Sequence, residues 1–141
     1  FNDAHVLLGE IYETQKVPTM FAPLAKATLE VVSMPENARI IDIACGTGII
    51  PRLLTERITG RGRIAGTDLN AAMIEIARNA MPVSRHSVDW FVCDVADLPF
   101  EDGEFDIAFV QQGLQFFPDK AKALAEIRRV LVPDGRVVLT C

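Results

Sequence analysis

The chain is sparing in the residues that mark several large protein classes. Its three cysteines, Cys45, Cys93 and Cys141, are odd in number and show no CxxC spacing. That pattern argues against a disulfide scaffold and for reduced thiols in the cytoplasm. His5 and His86 are the only histidines, and no His/Cys/Glu cluster offers a metal site. No Ser-His-Asp set stands out. Lys and Arg form no block and the net charge is −5, so neither nucleic acid nor an acidic membrane is expected as the main partner. No apolar run approaches the ~20 residues of a membrane span, and no signal peptide precedes the first amphipathic segment. There are no repeats and no low-complexity tract.

What remains is an ordinary soluble composition: 141 residues, half of them hydrophobic and 23% charged, enough for one domain with a substantial core. The chain opens at Phe1 and stops at Cys141 inside the β-prone run that begins at Arg136, which leads us to expect a fragment. Residues 1–36 read as a helical segment, two helices broken near Val17-Pro18, the second with Met20, Phe21, Leu24 and Leu29 on an apolar face. Met34 to Asn37 link it to a core over residues 37–141.

In that core, short β-branched runs alternate with helical patterns. Ile40 to Ile43 reads as a buried strand, followed by a glycine loop and a helix from Ile50 to Ile58, with Pro51 suited to a first turn. Arg63 to Thr67 reads as the second strand, and Asn70 caps a helix carrying Met73, Ile74 and Ala77 on one face. Ser87 to Cys93, with Trp90 as a core residue, is the third strand and Phe105 to Val110 the fourth. Asp119 caps a helix with a stripe of Leu124, Ile127 and Leu131, and after the turn Pro133-Asp134-Gly135 the fifth strand runs from Arg136 to Cys141. Strand and helix in alternation with short links predict an α/β fold of parallel strands joined by right-handed crossovers.

Open parallel sheets bind ligands beyond the carboxyl ends of their strands. Ala44-Cys45-Gly46-Thr47-Gly48 follows strand one, Asp68 strand two, Asp94 strand three and Gln111-Gln112-Gly113 strand four. Gly46 and Gly48 let backbone approach a ligand. Asp68 has the two-oxygen geometry for vicinal ribose hydroxyls, Asp94 can accept from an exocyclic amino group, and Asp42 can hold loop N–H groups or face an ammonium. Taken singly, each is as well explained by a turn or a surface carboxylate; their placement at successive strand ends joins them. The rival is a nicotinamide or flavin site with G-x-G-x-x-G. Here Pro51 stands where the third glycine belongs, and losing an N–H there weakens a phosphate cradle.

Ile41 to Gly48 resembles motif I of the class I S-adenosylmethionine (SAM)-dependent methyltransferases, with Ala44 in place of its first glycine. Gly66 to Asn70 with Met73 is similar to their second motif, Cys93 to Phe100 to the adenine-side segment, Phe105-Asp106 with Gln111 to Phe117 to motif IV, and Ile127 to Gly135 to the helix and turn before strand five. The small-molecule type, which includes the ubiquinone and menaquinone biosynthesis enzymes, is the nearest subgroup. The resemblance implies a Rossmann-like, doubly wound, mostly parallel sheet with helices on both faces, in the family order 3-2-1-4-5-7-6, of which strands one to five are present here.

It implies SAM as cofactor, S-adenosylhomocysteine (SAH) as product, and methyl transfer to an unidentified small-molecule acceptor. A nucleotide-binding oxidoreductase domain and a non-catalytic SAM-binding fragment are the alternatives. The cofactor-binding residues implied are Asp42, Ala44, Gly46, Thr47, Gly48, Asp68, Leu69, Met73, Asp94, Val95 and Gln111. Adenine falls to Asp94 and Val95, ribose to Asp68 with Leu69, and the methionine part to Gly46–Gly48 with Asp42 and the Gln111 carbonyl. Tyr12, Phe21, Phe116 and Phe117 are the aromatic candidates for the acceptor side, with plain packing expected for Phe21 and Phe117. No catalytic residue is assigned; His5 and Tyr12, on the upstream segment for which the resemblance implies a lid over the pocket, are the candidates. An unpaired edge at strand five points to a homo-oligomer.

Overall fold

The computed structural model describes residues 21–82 and 86–140. Five strands form one sheet in the order β3-β2-β1-β4-β5, and all four pairings are parallel. The strands are β1 Arg39–Ile43, β2 Arg63–Asp68, β3 Val88–Val92, β4 Phe105–Gln111 and β5 Leu131–Thr140. The helices are α1 Ala22–Glu30, α2 Ile49–Leu54, α3 Ala71–Asn79 and α4 Lys120–Val130, with a 3-10 turn at Leu114–Phe116. The α/β architecture expected from the alternating patterns is the one observed.

Strand alternation divides the core into two layers. On one face Ile40, Ile64, Ile107 and Phe109 pack with Ala25 and Leu29 of α1 and Ile50 and Leu54 of α2. On the other, Ile41, Ile43, Ala65, Ala108 and Val110 meet Ala123, Ile127 and Val130 of α4, with Phe100 and Phe105 edge to face at 5.0 Å. The near-continuous apolar runs of β1 and β4 follow from this burial on both sides.

Helix boundaries obey local chemistry. Asn70 Oδ1 accepts the Ala72 N–H at 2.9 Å and an Asp119 oxygen accepts that of Lys122 at 3.0 Å, the two caps expected. Three expectations are corrected. The helix after the glycine loop runs Ile49–Leu54 and continues to Ile58 only as hydrogen-bonded turns. The buried stripe of α4 is Ala123, Ile127 and Val130, with Leu124 40% exposed and Leu131 already in β5. The fifth strand begins at Leu131, opposite Phe105; Arg136 then pairs with Ile107, so Val132 to Gly135 bulge out of the ladder as the turn. Cys141, His5, Tyr12 and Met20 lie outside the described residues.

Candidate active site

All five strands point their carboxyl ends the same way, and a cavity of about 800 Å³ opens there. Its β1 wall is the bend Ala44–Gly48. The Cys45 N–H donates to the Thr67 carbonyl at 2.8 Å, carrying the β1–β2 ladder two residues past the strand. Ala44, Gly46 and Gly48 then take φ of 55°, 57° and 85°, and Arg52 holds the Thr47 carbonyl at 2.6 Å. Gly48 has a second reason to lack a side chain: an added Cβ would sit 2.7 Å from the Trp90 ring. Gly66, one strand over, meets the same ring at 2.6 Å. Trp90 is thus a wedge under the bend, half-buried rather than within the core expected for it.

Asp68 stands at the centre of the wall. One carboxylate oxygen accepts the Gly46 N–H at 2.9 Å and the other accepts the Asn70 N–H at 2.8 Å. Each oxygen keeps a further lone pair for a ligand. Burial pushes this carboxyl above its ordinary value although backbone N–H bonds pull it down. The sequence offered Asp42 as the anchor of the loop N–H groups; in the fold Asp68 does that work across a separation of 22 residues. Asp42 is 2% exposed and lies beneath the floor rather than on the lining. Its carboxyl is pushed well up, first by burial and then by the neighbouring Asp68.

The third and fourth strand ends complete the cavity. Cys93 donates its N–H to the Asp68 carbonyl at 3.0 Å, and Asp94 turns the chain by accepting the Ala96 N–H at 2.9 Å. Arg129 of α4 fastens the segment that follows through the Leu98 and Phe100 carbonyls at 3.1 and 2.8 Å. Across the opening, Gly113 approaches so closely that its Cβ would lie 3.0 Å from that of Ala44. The 3-10 turn there leaves Phe116 77% exposed, and Leu69 opposite is 72% exposed; both line the cavity mouth.

Of the residues singled out in the sequence, Ala44, Gly46, Asp68, Leu69, Met73, Asp94, Val95 and Gln111 line this one cavity. Asp42, Thr47 and Gly48 lie behind its wall. Among the aromatic candidates, Phe21, Phe116 and Phe117 all contribute lining, Phe117 while also packing in the core. His86 is elsewhere, beside the Gly60 carbonyl. Sequence reading missed Leu24, Thr67, Asn70 and Gln115; the strand-end rule extended by two residues to either side of Asp68 reaches Thr67 and Asn70.

The chemistry of the lining is one-sided. Among the described residues it carries two carboxylates, Asp68 and Asp94, and no Lys, Arg or His. Apart from those groups and a few amides it is apolar, with Phe, Leu, Met, Val and Ile predominating. Such a site favours a ligand with hydroxyl and amino donors and positive charge over one bearing phosphates. Among the described residues there is no His/Cys/Asp/Glu group suited to a metal ion. No helix among them is long and apolar enough to cross a membrane.

Comparison with known proteins agrees with this geometry. A family profile described as a methyltransferase domain matches residues 41–139. The demethylmenaquinone methyltransferase of Thermus thermophilus is 40% identical over 101 residues, 72% of this chain and 46% of that protein. The ubiquinone/menaquinone biosynthesis C-methyltransferase of Citrifermentans bemidjiense is 33% identical over 110 residues, 77% of this chain and 47% of that protein. Among solved structures, the TehB-like SAM-dependent methyltransferase from Corynebacterium glutamicum shares the fold, with a TM-score of 0.75 and 24% identity over 98% of this chain and 73% of that one. The chain spans less than half the length of the curated relatives it matches. With the parallel sheet, the bend and the domain profile in agreement, the chain belongs to the class I SAM-dependent methyltransferases.

Proposed function

We propose that the cavity binds SAM and serves methyl transfer to a small, largely apolar acceptor of the naphthoquinone class. One observation carries the cofactor reading: Asp68 presents a carboxylate, fixed by the Gly46 and Asn70 N–H groups, to a cavity whose described lining residues include no cationic side chain. A sulfonium-bearing adenosyl ligand fits that donor set; a dinucleotide pyrophosphate does not. Pro51 and the shortness of α2 (Ile49–Leu54) further disfavour a phosphate cradle.

In this reading Asp68 holds the ribose hydroxyls, Asp94 and Val95 the adenine, and the bend with the Gln111 carbonyl the methionine part. Bound SAM supplies an electrophilic methyl group. The chain's own contribution is positional: it fixes the donor side against a rigid bend and excludes water with apolar walls. The acceptor faces Phe116, Phe117 and Leu69, and the names of the relatives, together with this apolar mouth, support a quinone-type ring. A carbon acceptor loses a ring proton as the new carbon–carbon bond forms, and His5 and Tyr12 remain the candidate bases. The free thiols of Cys45 and Cys93 support a reducing compartment, the cytoplasm.

Calorimetric titration with SAH and with NAD tests the cofactor half. SAH should bind at micromolar concentration and NAD should not, and Asp68→Ala should weaken SAH by about 100-fold, or ~2.7 kcal/mol. NAD binding without SAH binding would overturn the reading. Methyl transfer from labelled SAM to a short-chain naphthohydroquinone, compared with an indole or amine acceptor, tests the acceptor half.

A further inference from the structure

The Gln111 side chain joins two parts of the molecule and is used by only one of its two ends. Its Nε2 donates to the Phe21 carbonyl, the cap residue of α1, at 3.3 Å. A carbonyl can only accept, so the amide orientation is fixed by this partner and Oε1 must face the other way. That oxygen is buried and has no donor within reach, while the residue lines the cavity. Its register partner on β5, Thr140, carries a second buried, unpartnered oxygen on the same sheet face. A buried amide oxygen without a donor is destabilising, because it has given up its water without a replacement. This one belongs to a residue that lines the cavity, so a ligand is the available source of a donor.

We propose that Gln111 is a latch that couples occupancy of the cavity to docking of α1: Nε2 tethers the helix, and Oε1 receives an N–H or O–H donor from the bound ligand. Each hydrogen bond orients the same planar amide, so forming one restricts the other to its working geometry. Phe21 and Leu24, which α1 adds to the lining, are drawn over the site by the same event. Gln111 is therefore a positioning residue on the side of the cavity opposite Asp68. The ligand half of this proposal rests on the SAM reading above; the tether half does not.

Amide hydrogen exchange across Ala22–Glu30, with and without SAH, tests both halves alongside SAH titration. In the wild type, SAH should slow exchange of the α1 amides by about tenfold. Gln111→Met, similar in length and without polar atoms, should speed α1 exchange about tenfold in the free protein and raise the SAH Kd about tenfold. SAH should no longer slow its α1 exchange. Gln111→Glu keeps an acceptor but loses the donor to Phe21, so it should retain SAH within about threefold while α1 exchanges as fast as in Gln111→Met. Wild-type α1 exchange in both variants without ligand overturns the tether. Unchanged SAH affinity in Gln111→Met, with SAH still slowing α1, overturns the ligand contact. A wild type that binds no SAH overturns the SAM reading and the ligand half together, and the ligand-free exchange rates still decide the tether.

Discussion

The two rims of the cavity are built on different principles. On the β1–β2 rim every turn of the chain has a backbone reason: Cys45 extends the ladder, Asp68 ties Gly46 to Asn70, and Trp90 fills the space that Gly48 and Gly66 leave. On the β4 rim the chain leaves its strand at Gln112, in the left-handed region at φ 56°, and makes one 3-10 turn. That turn presents Phe116 almost fully to solvent. The first rim tolerates one geometry and suits a ligand that never varies. The second offers an apolar surface whose exact shape is set by side chains alone. A fold that keeps its cofactor and changes its acceptor needs this division, because side chains on a loop can be replaced without disturbing the sheet.

The sharpest break between the rims should come from Gly66→Ala. Its φ is ordinary, so the only obstacle is the Trp90 ring at 2.6–2.7 Å. Either the ring or the strand must move, at a cost of about 2–3 kcal/mol. Gln115→Ala, on the exposed β4 rim, should change stability by less than about 0.5 kcal/mol. Urea midpoints measure both. Adding Trp90→Leu to Gly66→Ala should recover about 1 kcal/mol relative to the sum of the single effects. Equal, small effects of Gly66→Ala and Gln115→Ala would erase the distinction between a locked and a free rim.

The same division explains which features were legible in the sequence. Ile40 to Ile43 and Phe105 to Val110 are β-branched or aromatic runs buried on both faces, so composition identifies them. The caps Asn70 and Asp119 are local hydrogen bonds between residues two and three apart. The anchoring by Asp68 was hidden because it depends on sheet register, which sets Asp42 beside Gly66 and so brings residue 68 to the bend. Trp90 reads as a core residue, but only the β2–β3 pairing reveals that it opposes Gly66. The α4 stripe is harder to read because Leu124 is the larger apolar side chain, whereas the neighbouring Ala123 is the one fully buried. The bulge in β5 reads as a break before the strand because Pro133-Asp134-Gly135 carries the chemistry of a turn, and a ladder that resumes beyond it is a tertiary fact.

A milder contrast should come from Phe116→Ala. Because Phe116 is 77% exposed, its removal should leave the folded state within about 0.5 kcal/mol of the wild type. SAH affinity should change by less than about twofold, since the bend does not depend on it. The acceptor KM should rise about tenfold, the worth of partly burying one aromatic face, ~1.4 kcal/mol. A change in SAH affinity as large as that in KM would mean that the two rims act as one site and that the exposed aromatic reports on cofactor rather than acceptor.

The smallest effect belongs to Asp42, behind the locked rim. Its carboxyl is pushed up by burial and by Asp68, so the folded protein prefers it protonated more than the unfolded chain does. The sign follows from that preference. The contribution to stability is fully present below the ordinary carboxylate value and is lost as pH rises through the raised value in the folded state. Asparagine has the same shape and no charge to bury, so Asp42→Asn should match the wild type in acid and exceed it at higher pH by about 1 kcal/mol. Urea unfolding at a series of pH values from the acid limb to mild alkali measures the difference. The gap must widen with pH. A gap that narrows, or one that is constant, would mean that a compensating partner holds Asp42 ionised and that the locked rim is polar to its base.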